Sequence, residues 1–469
     1  MNRKIFTLLF LGFCATMPLA QAQTEWEVGP NTTLTEYDLV TGVNLPWEIL
    51  WGQDDYIWAT LRTGKVLRID PATGNYTEVL SITVTGDGSS EPGLLGMALH
   101  PDFPNTPTVY LVYNSGSVWS GEERLSAWEW NGTELVNETI LVDEIVAGGI
   151  HNGSRIIITP DNKILMTTGD TGDGGVSSQN INALNGKTLR INLDGSIPDD
   201  NPDPTSYVYS FGHRNSQGLC NGPNGIIYAS EHGQSNSDEF NIIEANRNYG
   251  WPNVEGACNT ASEQTFCEAN NVREPLKEWS PCVAVNGIEY YNHPAIPEWE
   301  NSVLMSVLGG LGGQYERLSI LHMSDDGMEV DSEQQFFSSF NQRIRDICVN
   351  PYDGSIYVAF NGTSYPGSGP NIIKHFVNED FTAVKSPAAH SNQNIEVYPN
   401  PVEGRATIEF SPEFIGTNYM IYSFTGQLIR NEILDGSAVQ INGDDLAPGQ
   451  YYVKSTTQYG TVTRTFIVK

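Results

Sequence analysis

Positive charge is scarce in this chain: 24 lysines and arginines stand against 56 aspartates and glutamates in 469 residues, a formal charge of −32. That balance excludes nucleic acid and anionic membrane surfaces as partners, because both repel a polyanion. Long apolar runs are missing as well. A short apolar core begins at residues 5–11, with Arg3 and Lys4 before it and Ala20-Gln21-Ala22 after it. It reads as a secretory signal over residues 1–22. No later stretch approaches the ~20 apolar residues of a spanning helix, and Cys14 lacks the small residues that precede a lipoprotein cysteine, so an exported chain starting at Gln23 is expected.

Cysteine is sparse too. Loss of the signal removes Cys14 and leaves Cys220, Cys258, Cys267, Cys282 and Cys348. Five is odd, so at least one thiol has no partner within the chain. Cys258 and Cys267 flank a short polar loop and are the expected bridge, since export permits oxidation. No Cys/His spacing suggests zinc. Long helical periodicity is absent, although residues 180–189 have room for a turn or two.

What is present is a weak repeat of paired strands. An apolar strand, a Pro/Asp/Asn/Gly turn and a β-branched or aromatic strand recur at residues 47–61, 97–113, 156–169, 219–233, 287–307 and 347–362. The turn is Pro160-Asp161-Asn162 in the third copy and Pro223-Asn224-Gly225 in the fourth. Turns of this kind suit hairpins, and hairpins at such spacing suit propeller blades. The expected fold is all-β: a six-bladed β-propeller over residues 23–377, a polar linker over 378–393, and a small C-terminal β-sandwich over 394–469 whose alternating strands carry no histidine or cysteine.

Residues able to do chemistry gather where the repeat's strands begin or end, the usual location of functional groups on a rigid scaffold. His151 follows Gly148-Gly149 and is the best proton acceptor near neutral pH; the plainer reading is a packing histidine. In Gly212-His213-Arg214-Asn215, the arginine fork and the amide can together grip carbonyl or carboxylate oxygens; alternatively Arg214 caps neighbouring carbonyls. Residues 233–239 form a turn rich in oxygen donors that suits calcium but departs from the EF-hand pattern. The acidic run 194–203 reads as an exposed loop. Arg343 and Arg345 alternate and so share one face of a strand, where two like charges call for an anion; Asp346 points the other way.

The segments HNGSR, TGD, GHRNSQGL, EHGQSNSDEFNII, NYGWPNVEG and QRIRDI, in this order, with GLLGMALHPDF ahead of them, resemble the soluble quinoprotein glucose/sorbosone dehydrogenase family. The resemblance covers residues 45–376. It implies a six-bladed propeller that binds pyrroloquinoline quinone (PQQ) and Ca²⁺ and oxidises aldose sugars, passing electrons to an external acceptor. Carried over, His151 looks like the general base, Arg214 like the group that polarises the quinone oxygen, and Asn215 like its neighbour on the cofactor. Gly233 and Gln234 match the carbonyls that hold calcium, Glu239 a ligand of a further, structural calcium, and Arg343 and Arg345 the pair on the cofactor carboxylates.

Three departures stand out. Leu308 lies near the place of a family lysine that contacts the quinone. Glu91, also expected at the cofactor, replaces a glutamine, and Gln234 a common proline. The tail, with VYPNPVEGRATIEF and LAPGQYYVK, resembles the C-terminal sorting domain of the type IX secretion system, which implies that system's machinery as a partner and a secreted or cell-surface location. Retention of His151, Arg214, Arg343 and Arg345 favours an enzyme. The absent lysine favours the rival reading, a non-catalytic extracellular propeller that binds carbohydrate or protein. A calcium-dependent hydrolase would need carboxylates around a central metal, where this chain places arginines.

Overall fold

The computed structural model describes residues 24–381 except 87, 89 and 311–314, and residues 395–469 except 403, 412–413, 424–427 and 458–459. The expected signal segment and most of the expected linker lie outside the described residues.

The chain is all-β. Five four-stranded antiparallel sheets follow one another at residues 46–81, 94–147, 153–211, 216–279 and 285–336, each a meander running outward from its first strand. A sixth sheet has five strands, in the order Thr24–Gly29, Thr32–Val43, Asn371–Val377, Ile356–Phe360 and Ile344–Val349. The N-terminal strands therefore complete the sheet begun by residues 344–377. The innermost strands are Pro46–Trp51, Leu94–Leu99, Gly153–Ile158, Ser216–Asn221, Val285–Tyr291 and Ile344–Val349. Each touches the next, and the last touches the first, so the six sheets close in a ring.

The six sequence repeats correspond to the two innermost strands of the six sheets. These strands read as continuous apolar runs because they are covered on both faces: every residue of Leu94–Leu99 and of Ser302–Val307 is buried. Neighbouring sheets share cores, as where Trp58 and Val66 of the first meet Leu94 and Met97 of the second. Burying such side chains contributes about 1.5–3 kcal/mol each. The outermost strands are solvent-washed: Val330–Phe336 has no buried residue and shows little of the apolar pattern.

A polar pin crosses the ring. Arg155 donates to Glu48 at 2.6 Å and Asp346 at 3.1 Å through Nη1, and to the Gln217 carbonyl at 2.8 Å through Nε. Glu48 accepts from the Met97 amide and Asp346 from the Ile49 amide. Innermost strands of five sheets thus join one buried network, in which the Arg155 guanidinium reaches three other sheets directly and the Met97 strand is joined through Glu48. Asp346, opposite in face to its arginine neighbours, is half of this pin.

Among the described residues the one α-helix is Ala261–Ala269. Thr260 and Glu263 form a capping box at its start, and the expected Cys258–Cys267 disulfide ties it down, with Cα atoms 6.6 Å apart. Cys220, Cys282 and Cys348 are free. Residues 395–469 form a three-stranded and a four-stranded sheet. Ile395, Ile408 and Phe410 of one share a core with Tyr419, Val453 and Phe466 of the other.

Candidate active site

A cavity of about 580 Å³ opens where the innermost strands begin and their partners end. Of the nine residues picked from the sequence, Glu91, His151, Arg214, Asn215, Gly233, Gln234, Arg343 and Arg345 line it. Glu239 does not. It lines a small neighbouring cavity with Glu231 and Glu255, accepts from Asn241 Nδ2 at 2.9 Å and the Gly256 amide at 2.7 Å, and is pushed up to about 8 by burial and then by Glu231.

His151 is held at three points. Its amide donates to Glu91 Oε2 at 2.8 Å, which fixes a left-handed backbone of φ 54°. Its Nδ1 lies 2.8 Å from Asp170 Oδ1, and its Nε2 lies 3.2 Å from Arg214 Nη2. A carboxylate can only accept, so Nδ1 carries the proton, and Nε2, at the cavity wall, accepts from the Arg214 guanidinium. Burial alone would raise the Asp170 carboxyl, but donors from His151, the Gly172 amide and Trp251 Nε1 hold it below its ordinary range. Asp170 and Trp251 sit in the TGD and NYGWPN segments, yet their part in orienting His151 was not legible there, because it depends on contacts between residues 19 and 81 positions apart.

Arg214 donates through Nη1 to the His232 carbonyl at 3.1 Å and the Gly233 carbonyl at 2.7 Å, and lies 5.3 Å over the Trp251 ring. Of the two roles the sequence left open for Arg214, the structure shows the capping of neighbouring carbonyls, in a side chain that also borders the cavity. Asp238 anchors the loop behind it, accepting from the amides of Gly233, Val283 and Ala284. Asn215 Oδ1 accepts from the Gly153 amide at 3.1 Å. Sequence reasoning missed His232, whose Nε2 is buried without a partner and whose basicity burial lowers to about 4, so its imidazole stays neutral.

The far wall is cationic. Arg343 donates through Nη1 to the Leu308 carbonyl at 3.2 Å. Arg345 donates through Nε to Asn361 at 3.1 Å and through Nη1 to Gln217 at 3.0 Å and Asn286 at 3.3 Å. Among the described residues, Nη2 of neither arginine has an acceptor. Arg62, also missed in the sequence, donates to the Pro366 and Gly88 carbonyls. Burial pulls all three guanidiniums down, Arg62 to about 10 and Arg345 well below its ordinary value; Arg62, Arg343 and Arg155 further depress Arg345. Glu91, bonded to the Tyr365 hydroxyl at 2.7 Å, is a counter-charge to all three, and buried Glu316 is the stronger one at Arg343. No lysine is among the described lining residues, which include Leu308, buried and apolar.

The site is a cleft in which His151, held by Asp170, shares the lining with Arg62, Arg214, Arg343 and Arg345, an arrangement chemically able to take a proton beside a bound anion. The chain belongs to the glucose/sorbosone dehydrogenase family, which matches residues 43–366; residues 396–469 match the secretion system C-terminal sorting domain. It is 34% identical over 280 residues to quinoprotein glucose dehydrogenase B of Acinetobacter calcoaceticus, covering 53% of this chain and 58% of that protein. It is 26% identical over 340 residues to an aldose sugar dehydrogenase of Escherichia coli, covering 68% of this chain and 88% of that one. The PQQ-bound aldose sugar dehydrogenase of Streptomyces coelicolor superposes with a TM-score of 0.63 at 30% identity, covering 74% of this chain and 99% of that one.

Proposed function

We propose that this chain is an exported, PQQ- and calcium-dependent aldose dehydrogenase, its six sheets the blades of a six-bladed propeller and residues 394–469 a small sandwich. The observation that carries this reading is the group of arginines at the cavity in a chain of charge −32. Buried like charges are costly without an anion, and a quinone tricarboxylate supplies one. Arg343 and Arg345, each with an unengaged Nη2, would hold its carboxylates, with Asn215 and Glu91 at its edge. Gly233 and Gln234 would offer carbonyls to calcium. Gly233 already accepts from the Arg214 cation, so a calcium ion there replaces one positive partner with another. Glu239 would serve a separate structural ion through further oxygen donors, since among the described residues no three His, Cys, Asp or Glu side chains gather to hold a metal.

When bound, the quinone supplies the acceptor for a hydride. The protein's own part is proton transfer and orientation. His151 Nε2 takes the proton of the sugar's anomeric hydroxyl, the hydride leaves the anomeric carbon, and a lactone carbonyl forms. Asp170 and Trp251 keep His151 in the required tautomer, and Arg214 beside it stabilises negative charge developing near the base.

Sorting by the type IX machinery fits the C-terminal match, and among the described residues no helix is long and apolar enough to cross a membrane. The absent lysine is the feature that favours a binding propeller instead. The test is reconstitution of the full chain with PQQ and Ca²⁺, following dye reduction with a panel of aldoses. Dye reduction that is lost in chelator and restored by Ca²⁺ supports the enzyme. Failure of PQQ to bind at all returns the chain to the binding reading.

A further inference from the structure

The second sheet carries a hairpin longer than its inner strand can support. Strand Thr108–Ser117 pairs with the inner strand Leu94–Leu99 only as far as Leu94↔Tyr113. It then runs four residues further toward the cavity end, roughly 13 Å at the usual rise per residue. There it turns at Val118-Trp119 and returns as Ser120–Trp130. The tip is fastened: Ser117 and Ser120 hydroxyls lie 2.5 Å apart, and Thr85 Oγ1 donates to the Gly116 carbonyl at 3.2 Å.

Trp119 at this tip is 75% exposed. A hairpin turn has no need of an indole, and water is a poor environment for one. Its six-membered ring rests on Gly149, where an added Cβ would come within 2.6 Å of Cη2 and Cζ3. The Gly149 carbonyl accepts from the Glu91 amide, and Glu91, Ile150 and His151 line the cavity. The indole is thus steadied against the loop that presents the base, just outside the cavity mouth, with exposed Ser117 and Ser120 hydroxyls beside it.

A flat apolar ring bordered by hydroxyls complements a pyranose, whose C–H faces are apolar and whose rim is hydroxylated. We propose that Trp119 is the platform of an outer sugar subsite, so that the preferred substrates are reducing oligosaccharides: the terminal ring enters the cavity beside His151 and the next ring stacks on the indole. This rests on the dehydrogenase reading above.

The test uses the full chain, loaded with PQQ and Ca²⁺, and compares glucose with maltotriose, cellotriose and xylotriose in the wild type, W119A and W119F. The expected result is a fall of roughly tenfold in kcat/KM for at least one trisaccharide in W119A, the scale of one lost stacking contact, with glucose within about twofold and W119F close to the wild type. Equal losses on glucose and trisaccharide would make Trp119 a prop for the His151 loop and overturn the proposal, as would no loss on either. Calorimetric titration of the cofactor-free protein with the same trisaccharides separates the two readings. Saccharide binding that W119A weakens, in a protein that oxidises no sugar, keeps the subsite and removes the dehydrogenase; oxidation of glucose with no gain from a second ring does the reverse.

Discussion

The role of base proposed for His151 requires Asp170 to keep the proton on the opposite nitrogen. In Asp170→Asn, an amide that donates to Nδ1 moves the proton to Nε2 and removes the lone pair there. Both Asp170→Asn and His151→Ala should lower kcat by roughly 10² to 10⁴, with PQQ affinity retained; titration with PQQ beside steady-state kinetics checks both halves. The arginine pair divides differently. Arg343 makes one bond to the protein, so Arg343→Leu should weaken PQQ binding by about 2–5 kcal/mol with little change in apo stability. Arg345 satisfies Gln217, Asn286 and Asn361, so Arg345→Leu should weaken PQQ binding and also lower the melting temperature. A melting curve of each apo variant separates the two.

At the scale of the element, the strand Ser120–Trp130 places a carboxyl under the active-site loop. Glu123 is 1% exposed, accepts from Ser154 Oγ at 2.8 Å, and has one oxygen buried without a partner. Burial raises it to about 8. Between its unfolded value near 4.5 and about 8, the folded state holds a proton that the unfolded state has lost. Stability is therefore greatest below the lower value and falls as pH rises through the window, by about 1.4 kcal/mol per unit for this one group. Urea unfolding at pH 4.5 and pH 8 should show Glu123→Gln close to the wild type at the lower pH and more stable at the higher.

The same scale explains what could be read from sequence. Inner hairpins were legible because burial on both faces writes an unbroken apolar run, as in Leu94–Leu99. Outer strands were not: Val330–Phe336 and, in the C-terminal unit, Leu428–Ile433 are mostly solvent-facing and leave little pattern. The helix Ala261–Ala269 has no apolar stripe, and its only signal was the Thr-x-x-Glu capping box. Eight of the nine selected residues meet at one cavity because each sits at a strand boundary, where sequence motifs and ring geometry coincide. Arg62, Asp170 and His232 were overlooked because their importance lies in which distant groups they touch.

Over the whole molecule, buried charge is mixed and not sorted by sign: Arg62, Arg155, Arg343 and Arg345 share the interior with Glu48, Asp238, Glu316 and Asp346. Arg155 holds three of the sheets directly, through Glu48, Asp346 and the Gln217 carbonyl. Arg155→Met should cost about 3–5 kcal/mol, because it strands two buried carboxyls, and denaturant unfolding would measure that loss.

The strand Thr32–Val43 pairs with Asn371–Val377 at seven positions, from Thr35↔Val377 to Val43↔Asn371. The covalent gap in the ring therefore falls inside a sheet, bridged by hydrogen bonds like the overlap of a barrel hoop. Opening the ring means unzipping that overlap along its length before any blade can leave its neighbours. Durability after release from the cell then depends on how slowly the hoop parts, a rate and not a balance of energies, and a tag or trimming that disturbs residues 32–43 would shorten the lifetime of the protein more than it changes the chemistry at His151.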